Sequence, residues 1–253
     1  MLKKVYILVM AVLFCLVIQN QMMLQKDRAI QAQTKQQAIS YTGLVHQFPE
    51  IKIAAEEAEA AADAEEIIYK SEKEIEHERM KEMNSDYIGW LFIPGTEISY
   101  PVVDPPDNEY YLKHSFEKTS SISGALFIDS FLTEGMDSPH VIVYGHNMRN
   151  GSMFGTLKKF RNESYFNEHP LIEFHTPNGL YVYQIFSIRE VSSDIHSMNF
   201  KIDDVNINEY VENARRDSIH FRKPETATNI VTLSTCVGND SRRLLLSATR
   251  IYG

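Results

Sequence analysis

The sequence predicts a mainly β domain that follows an N-terminal membrane anchor and a helical stalk. Three observations lead to this fold class: an apolar run near the amino terminus, a stretch rich in Gln, Ala and Glu after it, and many short β-branched and aromatic runs over the rest of the chain. We therefore divide the chain into a transmembrane signal-anchor at residues 1–24, an acidic helical stalk at 25–82 and a folded domain at 83–253.

The composition is that of a folded chain without affinity for polyanions. Of the 253 residues, 43% are hydrophobic and 11% are aromatic, so a sizeable core can form. The 25 Lys and Arg residues are outnumbered by 34 Asp and Glu residues, which gives a formal net charge of −9. Such a chain lacks the basic footprint that a phosphate backbone requires, and no nucleic-acid partner is expected.

The N-terminal segment has the layout of a targeting sequence. Lys3 and Lys4 precede fourteen apolar residues, Val5–Ile18, and three more apolar residues follow at 22–24. A membrane-spanning helix needs about 20 predominantly apolar residues, so a signal-peptide core and a tilted or snorkelling anchor both remain open. No small-residue cleavage site follows the run, which favours an uncleaved anchor that contacts the membrane through residues 5–24. Basic residues on both sides leave its orientation open.

The stretch from Glu56 to Glu82 predicts one continuous, solvated helix. Strong helix formers dominate it, and its eleven acidic residues against four basic ones give a local net charge of −7. Its apolar positions do not sustain a heptad repeat, which argues against a long coiled coil. We interpret the stretch as a spacer between the membrane and the folded domain, and a partner-binding helix is the alternative.

From Tyr87 onward, short apolar runs alternate with turn residues, which is typical of many short strands. Eight such runs within about 165 residues indicate a closed barrel or a sandwich. Two helices are predicted between them, at Ser152–Phe160 and Ile207–Ser218, because each presents apolar residues along one face and Asn206 is a suitable N-cap for the second. The predicted strands are 87–93, 98–103, 124–128, 140–144, 171–175, 180–191, 229–234 and 244–252.

Cys236 is the first candidate for chemistry. It follows the β-branched run at 229–235, so its thiol is expected at a strand end where a loop begins, a common position for catalytic groups. The other cysteine, Cys15, lies in the apolar N-terminal run, which excludes a disulfide within the folded domain. A lone cysteine is often a small buried hydrophobe, so a catalytic interpretation needs partner residues.

His146 and Arg243 are the candidate partners. His146 follows another apolar strand, and Gly145 lets the backbone turn there. A nucleophilic cysteine needs a proton-handling group, and histidine has the unperturbed pKa closest to neutral. Arg243 can return along a hairpin to Cys236 and hold a carbonyl or its oxyanion, and Arg242 is a rival for this role. The other histidines show no metal-ligand spacing with the cysteine, so neither a metal nor another cofactor is expected.

These residues lie in motifs that resemble the sortases, the cysteine transpeptidases of Gram-positive cell surfaces. The resemblance covers residues 83–253 and does not extend to the stalk, and within the family it is greatest to class B. The motifs are Thr232-Leu-Ser-Thr-Cys236, Arg243 with the run 244–249 after it, Tyr144-Gly-His-Asn147 and, in the order of class B, Asp86–Ile93, Ile98–Val103, Asn108–Leu112, Gly124–Asp129 and His146–Phe154.

The resemblance implies a closed eight-stranded sortase-type β-barrel with inserted helices, a cytoplasmic N-terminus and an extracellular catalytic domain. It also implies that Cys236 is the nucleophile, that His146 is the general acid and base, and that Arg243 holds substrate and stabilises the oxyanion. A further three residues of the same motifs are expected to bind substrate: Ser234, Thr235 and Asn147.

The implied reaction attaches secreted proteins to the cell wall. Cys236 attacks the Thr carbonyl of a C-terminal sorting signal, His146 protonates the departing amine, and an amine of the peptidoglycan cross-bridge or of its lipid-linked precursor resolves the thioacyl enzyme. A membrane-tethered cysteine peptidase that hydrolyses this intermediate is the alternative. A noncatalytic surface adhesin is a third interpretation, in which Cys236 is an inert core residue.

Overall fold

The structure is a computed structural model that describes residues 75–132, 134–193, 206–237 and 241–253, with 16–19, 21–22 and 25 near the N-terminus. Most of the predicted anchor and most of the predicted stalk lie outside these residues, and the division into three domains stays a prediction. Residues 16–19 and 21–22 are helical. Across the described part of the chain, no helix has both the length and the apolar content needed to cross a membrane.

In the described part of the chain, nine strands form one sheet that closes on itself. The strand order is β5-β1-β2-β3-β4-β8-β9-β6-β7, and β5 also pairs with β6. This last pairing completes an eight-stranded barrel and leaves β7 on its margin, so the predicted closed barrel is confirmed. The strands are β1 Tyr87–Phe92, β2 Ser99–Val103, β3 Leu126–Ile128, β4 His140–Tyr144, β5 Leu171–Thr176, β6 Gly179–Ser192, β7 Ser218–Phe221, β8 Ile230–Val237 and β9 Arg242–Tyr252.

Alternate residues of the barrel strands point inward and form the main hydrophobic core. Val231 and Leu233 of β8 and Leu244 and Leu246 of β9 belong to it and are at most 1% exposed. Side chains alternate between the two faces of a strand, so the residues between them lie on the outside. The carboxyl end of β8 therefore presents Cys236 on the outer face of the barrel.

Two helices cover parts of this outer face. Helix α1 (His77–Met83) packs through Met80 against a cluster that contains Trp90 and Phe127. Ile75 and Glu76, just before it, are not helical, so the predicted continuous helix at 56–82 is wrong there. Residues 56–74 lie outside the described ranges.

The other covering helix, α3 (Ile207–Asp217), confirms the second predicted helix to within one residue. The Asn206 side chain accepts a hydrogen bond from the Glu209 N–H, as expected of an N-cap. Its buried residues Tyr210 and Ala214 pack on the outer face of β6 and β8.

The predicted helix at Ser152–Phe160 is wrong in its first half. Met153 has a φ of 53° and forms an isolated β-bridge with Asn147, so the backbone turns back there. A 3₁₀ helix occupies Leu157–Arg161, and the short helix α2 (Glu163–Glu168) follows it. The apolar residues of the predicted face are buried, but the tertiary pairing of the turn prevents a helix from starting at 152.

Candidate active site

The parallel register of β4 and β8 brings His146 to the level of Cys236. Tyr144, the last residue of β4, pairs with Ser234 of β8, and the Gly145 N–H donates to the Ser234 carbonyl at 3.2 Å. His146 and Cys236 each lie two residues beyond that pair. Both side chains are half-buried. The imidazole and the thiol are therefore carried at the same end of two adjacent strands and on the same face.

The antiparallel register of β8 and β9 places Arg243 directly opposite Cys236. Paired residues project from the same face of a sheet, so the half-buried guanidinium shares the outer face with the thiol. Arg242 pairs instead with Val237, and its guanidinium lies 3.1 Å from the Glu190 carboxylate. Of the two rival arginines, Arg243 is the one that lies beside the thiol.

A backbone carbonyl orients the His146 ring. Its Nε2 lies 2.8 Å from the Leu112 carbonyl oxygen, and a carbonyl can only accept a hydrogen bond. Nε2 therefore carries a proton, which leaves Nδ1 as the nitrogen that can exchange one. This contact could not be predicted from the sequence, because any residue type can supply a backbone acceptor.

Gly124 permits the close approach of the segment that carries this carbonyl. Its φ is 59°, and a Cβ there would lie 2.4 Å from the Tyr111 carbonyl oxygen, 3.2 Å from the Leu112 carbonyl oxygen and 3.2 Å from His146 Cδ2. A side chain at this position would strain the backbone and push against both the carbonyl and the ring.

Tyr144 adds a hydroxyl to the outer face beside the site. It donates to Asp129 Oδ2 at 2.8 Å, and Asn108 Nδ2 donates to the other carboxylate oxygen at 3.3 Å. Burial and the Asp129 charge raise the pKa of the Tyr144 hydroxyl, whereas the charge of Arg243 acts in the opposite direction. Sequence reasoning did not single out this pair, although both residues lie within the quoted motifs.

The three residues expected to bind substrate have different surroundings. Asn147 is exposed, and its Nδ2 donates to the Cys236 carbonyl oxygen at 2.8 Å. Thr235 is 3% exposed and donates to the Gly145 carbonyl at 2.7 Å, so its hydroxyl joins β4 to β8. Ser234 is 2% exposed on the same face as the thiol, and its hydroxyl has no hydrogen-bond partner among the described residues. Their roles toward a substrate stay predictions.

The arrangement suits nucleophilic attack on a carbonyl. A thiol is the nucleophile, an imidazole can move protons, and a permanent cation can hold the oxygen on which negative charge develops. Within the described ranges, no group of three or more His, Cys, Asp or Glu side chains is placed to hold a metal ion.

Comparisons with known proteins point to the sortases. A family model described as "Sortase domain" matches residues 91–251. Sortase B of Listeria monocytogenes is 30% identical over 160 residues, which are 62% of this chain and 65% of that protein. Sortase B of Staphylococcus aureus is 29% identical over 163 residues, which are 63% of this chain and 66% of that protein. Both matches span just under two thirds of the relative's length. The X-ray structure of Clostridium perfringens sortase B has a TM-score of 0.64 at 32% identity, over 69% of this chain and 99% of that one.

Proposed function

Because this chain belongs to the sortase family and is most similar to its class B members, we propose that it is a cell-surface cysteine transpeptidase. The observation that carries the proposal is the register of three adjacent strands. β4, β8 and β9 bring His146, Cys236 and Arg243 to one end and one face of the barrel.

The proposed substrate is a secreted protein with a C-terminal sorting signal. The Cys236 thiolate attacks the Thr carbonyl of the signal, and Arg243 stabilises the oxyanion of the tetrahedral intermediate. When the intermediate collapses, the peptide C–N bond breaks and protonated His146 gives its proton to the departing amine. The product is a thioester between the secreted protein and the enzyme.

The proposed acceptor is an amine of the peptidoglycan cross-bridge or of its lipid-linked precursor. The amine attacks the thioester carbonyl and loses a proton to His146, and the Cys236 thiolate leaves as the new amide bond forms. Such an acceptor lies outside the cell, so the catalytic domain must also be extracellular. We therefore include in the proposal a membrane anchor at residues 1–24 with a cytoplasmic N-terminus.

The test incubates the protein with a library of Thr-containing peptides, with and without hydroxylamine. Transpeptidation predicts that hydroxamate forms at the Thr carbonyl, because the thioester reacts with the added amine. A Cys236→Ala variant is the control and should form no product while remaining folded.

Two outcomes would contradict the proposal. Free acid as the sole product in the presence of the amine would indicate a peptidase that hydrolyses its thioester. A wild-type protein that neither cleaves a peptide nor reacts with a thiol probe at Cys236 would indicate the noncatalytic adhesin.

A further inference from the structure

We propose that Asn147 is a positioning residue that holds the backbone of Cys236 through its side-chain amide. The Nδ2 of Asn147 donates to the Cys236 carbonyl oxygen at 2.8 Å. This inference rests on the proposed roles of Cys236 and His146, and it differs from the substrate contact that the sequence motif predicted for Asn147.

The hydrogen bond occupies the next position in the parallel ladder between β4 and β8. The last backbone hydrogen bond that the β4 segment donates to β8 runs from the Gly145 N–H to the Ser234 carbonyl. Bonds in a parallel ladder recur at every second residue, so the next donor would come from residue 147 and the next acceptor would be the Cys236 carbonyl. The backbone at 147, however, turns back to form a bridge with Met153. The side-chain amide of Asn147 thus donates where a straight strand would use its backbone.

This bond joins the two segments that carry the imidazole and the thiol, at the point where the ladder ends. It fixes the peptide group that follows the Cys236 Cα, and therefore the direction in which the thiol projects. Asn147 is the residue next to His146, so the hydrogen bond also limits how far the His146 and Cys236 backbones can move relative to each other. Misplacing reacting groups by about 1 Å can reduce a rate by about a hundredfold.

The position of the bond also predicts that its loss leaves the barrel folded. Asn147 is exposed, and the pairs from His140–Ile230 to Tyr144–Ser234 do not depend on it. An isosteric Asn147→Asp change removes the N–H donor and sets a carboxylate oxygen against the carbonyl. An Asn147→Ala change removes the group altogether.

The experiment compares Asn147→Asp and Asn147→Ala with wild type and with Asn178→Ala. Asn178 is an exposed residue of the β5–β6 turn and is the matched control. We expect both Asn147 variants to lower kcat for peptide cleavage about tenfold, the equivalent of one hydrogen bond, with KM changed less than about twofold. The control should keep the wild-type kcat and KM.

A second readout follows the thiol without any peptide. The rate of Cys236 alkylation by iodoacetamide is measured against pH for wild type, Asn147→Ala and Asn178→Ala. A thiolate is stabilised by a neighbouring imidazolium, so loosening the pair should raise the apparent pKa of the thiol in Asn147→Ala and leave it unchanged in the control.

The possible outcomes separate this proposal from the proposed function. Wild-type kcat and an unshifted alkylation profile in Asn147→Ala would overturn the positioning role, as would wild-type behaviour of Asn147→Asp. A raised KM with unchanged kcat would overturn it in favour of a substrate contact. A wild-type protein without peptide cleavage would overturn the proposed function, and the alkylation profile would still decide whether Asn147 positions the thiol.

Discussion

Arg242 and Arg243 are neighbours on β9 but have different surroundings. Arg243 is half-buried opposite Cys236, and its charge acts on the pKa of the Tyr144 hydroxyl. Arg242 is exposed and forms an ion pair with Glu190, which also pairs with Arg161. One arginine therefore faces the reacting groups, and the other is part of a surface ion-pair network.

We expect Arg243→Lys to lower kcat/KM about a hundredfold, because lysine is a point charge and cannot hold an oxyanion with two donors in fixed geometry. Arg242→Lys keeps a charge beside Glu190 and should change kcat/KM less than about twofold, since exposed ion pairs contribute little. Both variants are measured on one peptide. If the Arg242 variant is the impaired one, the assignment of the active-site cation is wrong.

A methyl group at position 124 should impair catalysis through the His146 ring. We expect Gly124→Ala to lower kcat at least about tenfold, because its Cβ displaces the Leu112 carbonyl that orients the imidazole. Gly135→Ala is the matched control, because Gly135 has a similar φ of 56° but no atom within 4 Å of an added Cβ. A wild-type kcat for Gly124→Ala would contradict the prediction, and an equal reduction in both variants would attribute the loss to backbone strain and not to contact with the ring.

At the scale of elements, helix α3 closes a polar cluster between itself and the barrel. His140 of β4 is fully buried, with Nε2 2.9 Å from the Thr232 hydroxyl, and Tyr210 of α3 contacts the same hydroxyl at 3.0 Å. Burial, and then the charge of Arg189, lower the pKa of His140 from 6.5 to about 3. The ring is therefore neutral in the folded protein at physiological pH.

This burial predicts a loss of stability in mild acid. The unfolded state takes up a proton on His140 below its ordinary pKa of 6.5, whereas the folded state does so only near the lowered value. The free energy of unfolding should therefore fall by about 1.4 kcal/mol per pH unit from this group between about pH 6 and 4. Urea unfolding across this range should show a shallower pH dependence for His140→Gln. Parallel curves for the two proteins would contradict the prediction.

Element predictions from sequence succeeded where local pattern and tertiary structure agree. All eight predicted runs contain strands, and α3 begins after its predicted N-cap. Strand β7 was not predicted, because Ser218–Phe221 has four residues and follows a helix directly. Helix α2 was also missed, although the Asn162 side chain caps it by accepting from the Tyr165 N–H.

The candidate site was predictable for a related reason. Strand ends can be located from sequence, so Cys236 and His146 could be proposed as neighbours before their register was known. The hydrogen bonds of the Leu112 carbonyl and the Asn147 amide could not be predicted. Each joins segments that are far apart in the sequence, so its partner is known only once the pairing of the strands is known.

At the scale of the whole molecule, α1 belongs to the same folded unit as the barrel. Met80 is 1% exposed and packs against residues of β1, β2 and β3, and Asn84 after the helix donates to the Tyr111 hydroxyl at 2.9 Å. The helix therefore covers apolar barrel surface on the outside of these strands.

We expect Met80→Ala to lower the free energy of unfolding by about 2–5 kcal/mol, because it leaves a cavity under α1. Met83→Ala is the matched control, since Met83 lies on the same helix and is 40% exposed, and it should have little effect. Both are measured by urea unfolding, with kcat/KM expected to stay at the wild-type value. An equal loss in both variants would contradict the prediction, because Met83 is exposed and its truncation leaves no buried cavity.

The closure of the barrel also determines when the site can exist during folding. The bond between Asn147 and Cys236 joins residues 89 positions apart, and the ring of His146 is oriented by a residue 34 positions before it. Contacts between such distant segments form late, because the loop between them must first be ordered. A chain that has formed its local hairpins, such as β5–β6, but has not yet paired β4 with β8 has the thiol without its partners. We therefore expect catalytic activity to appear only in the last stages of folding, once β4 has paired with β8 and the barrel has closed.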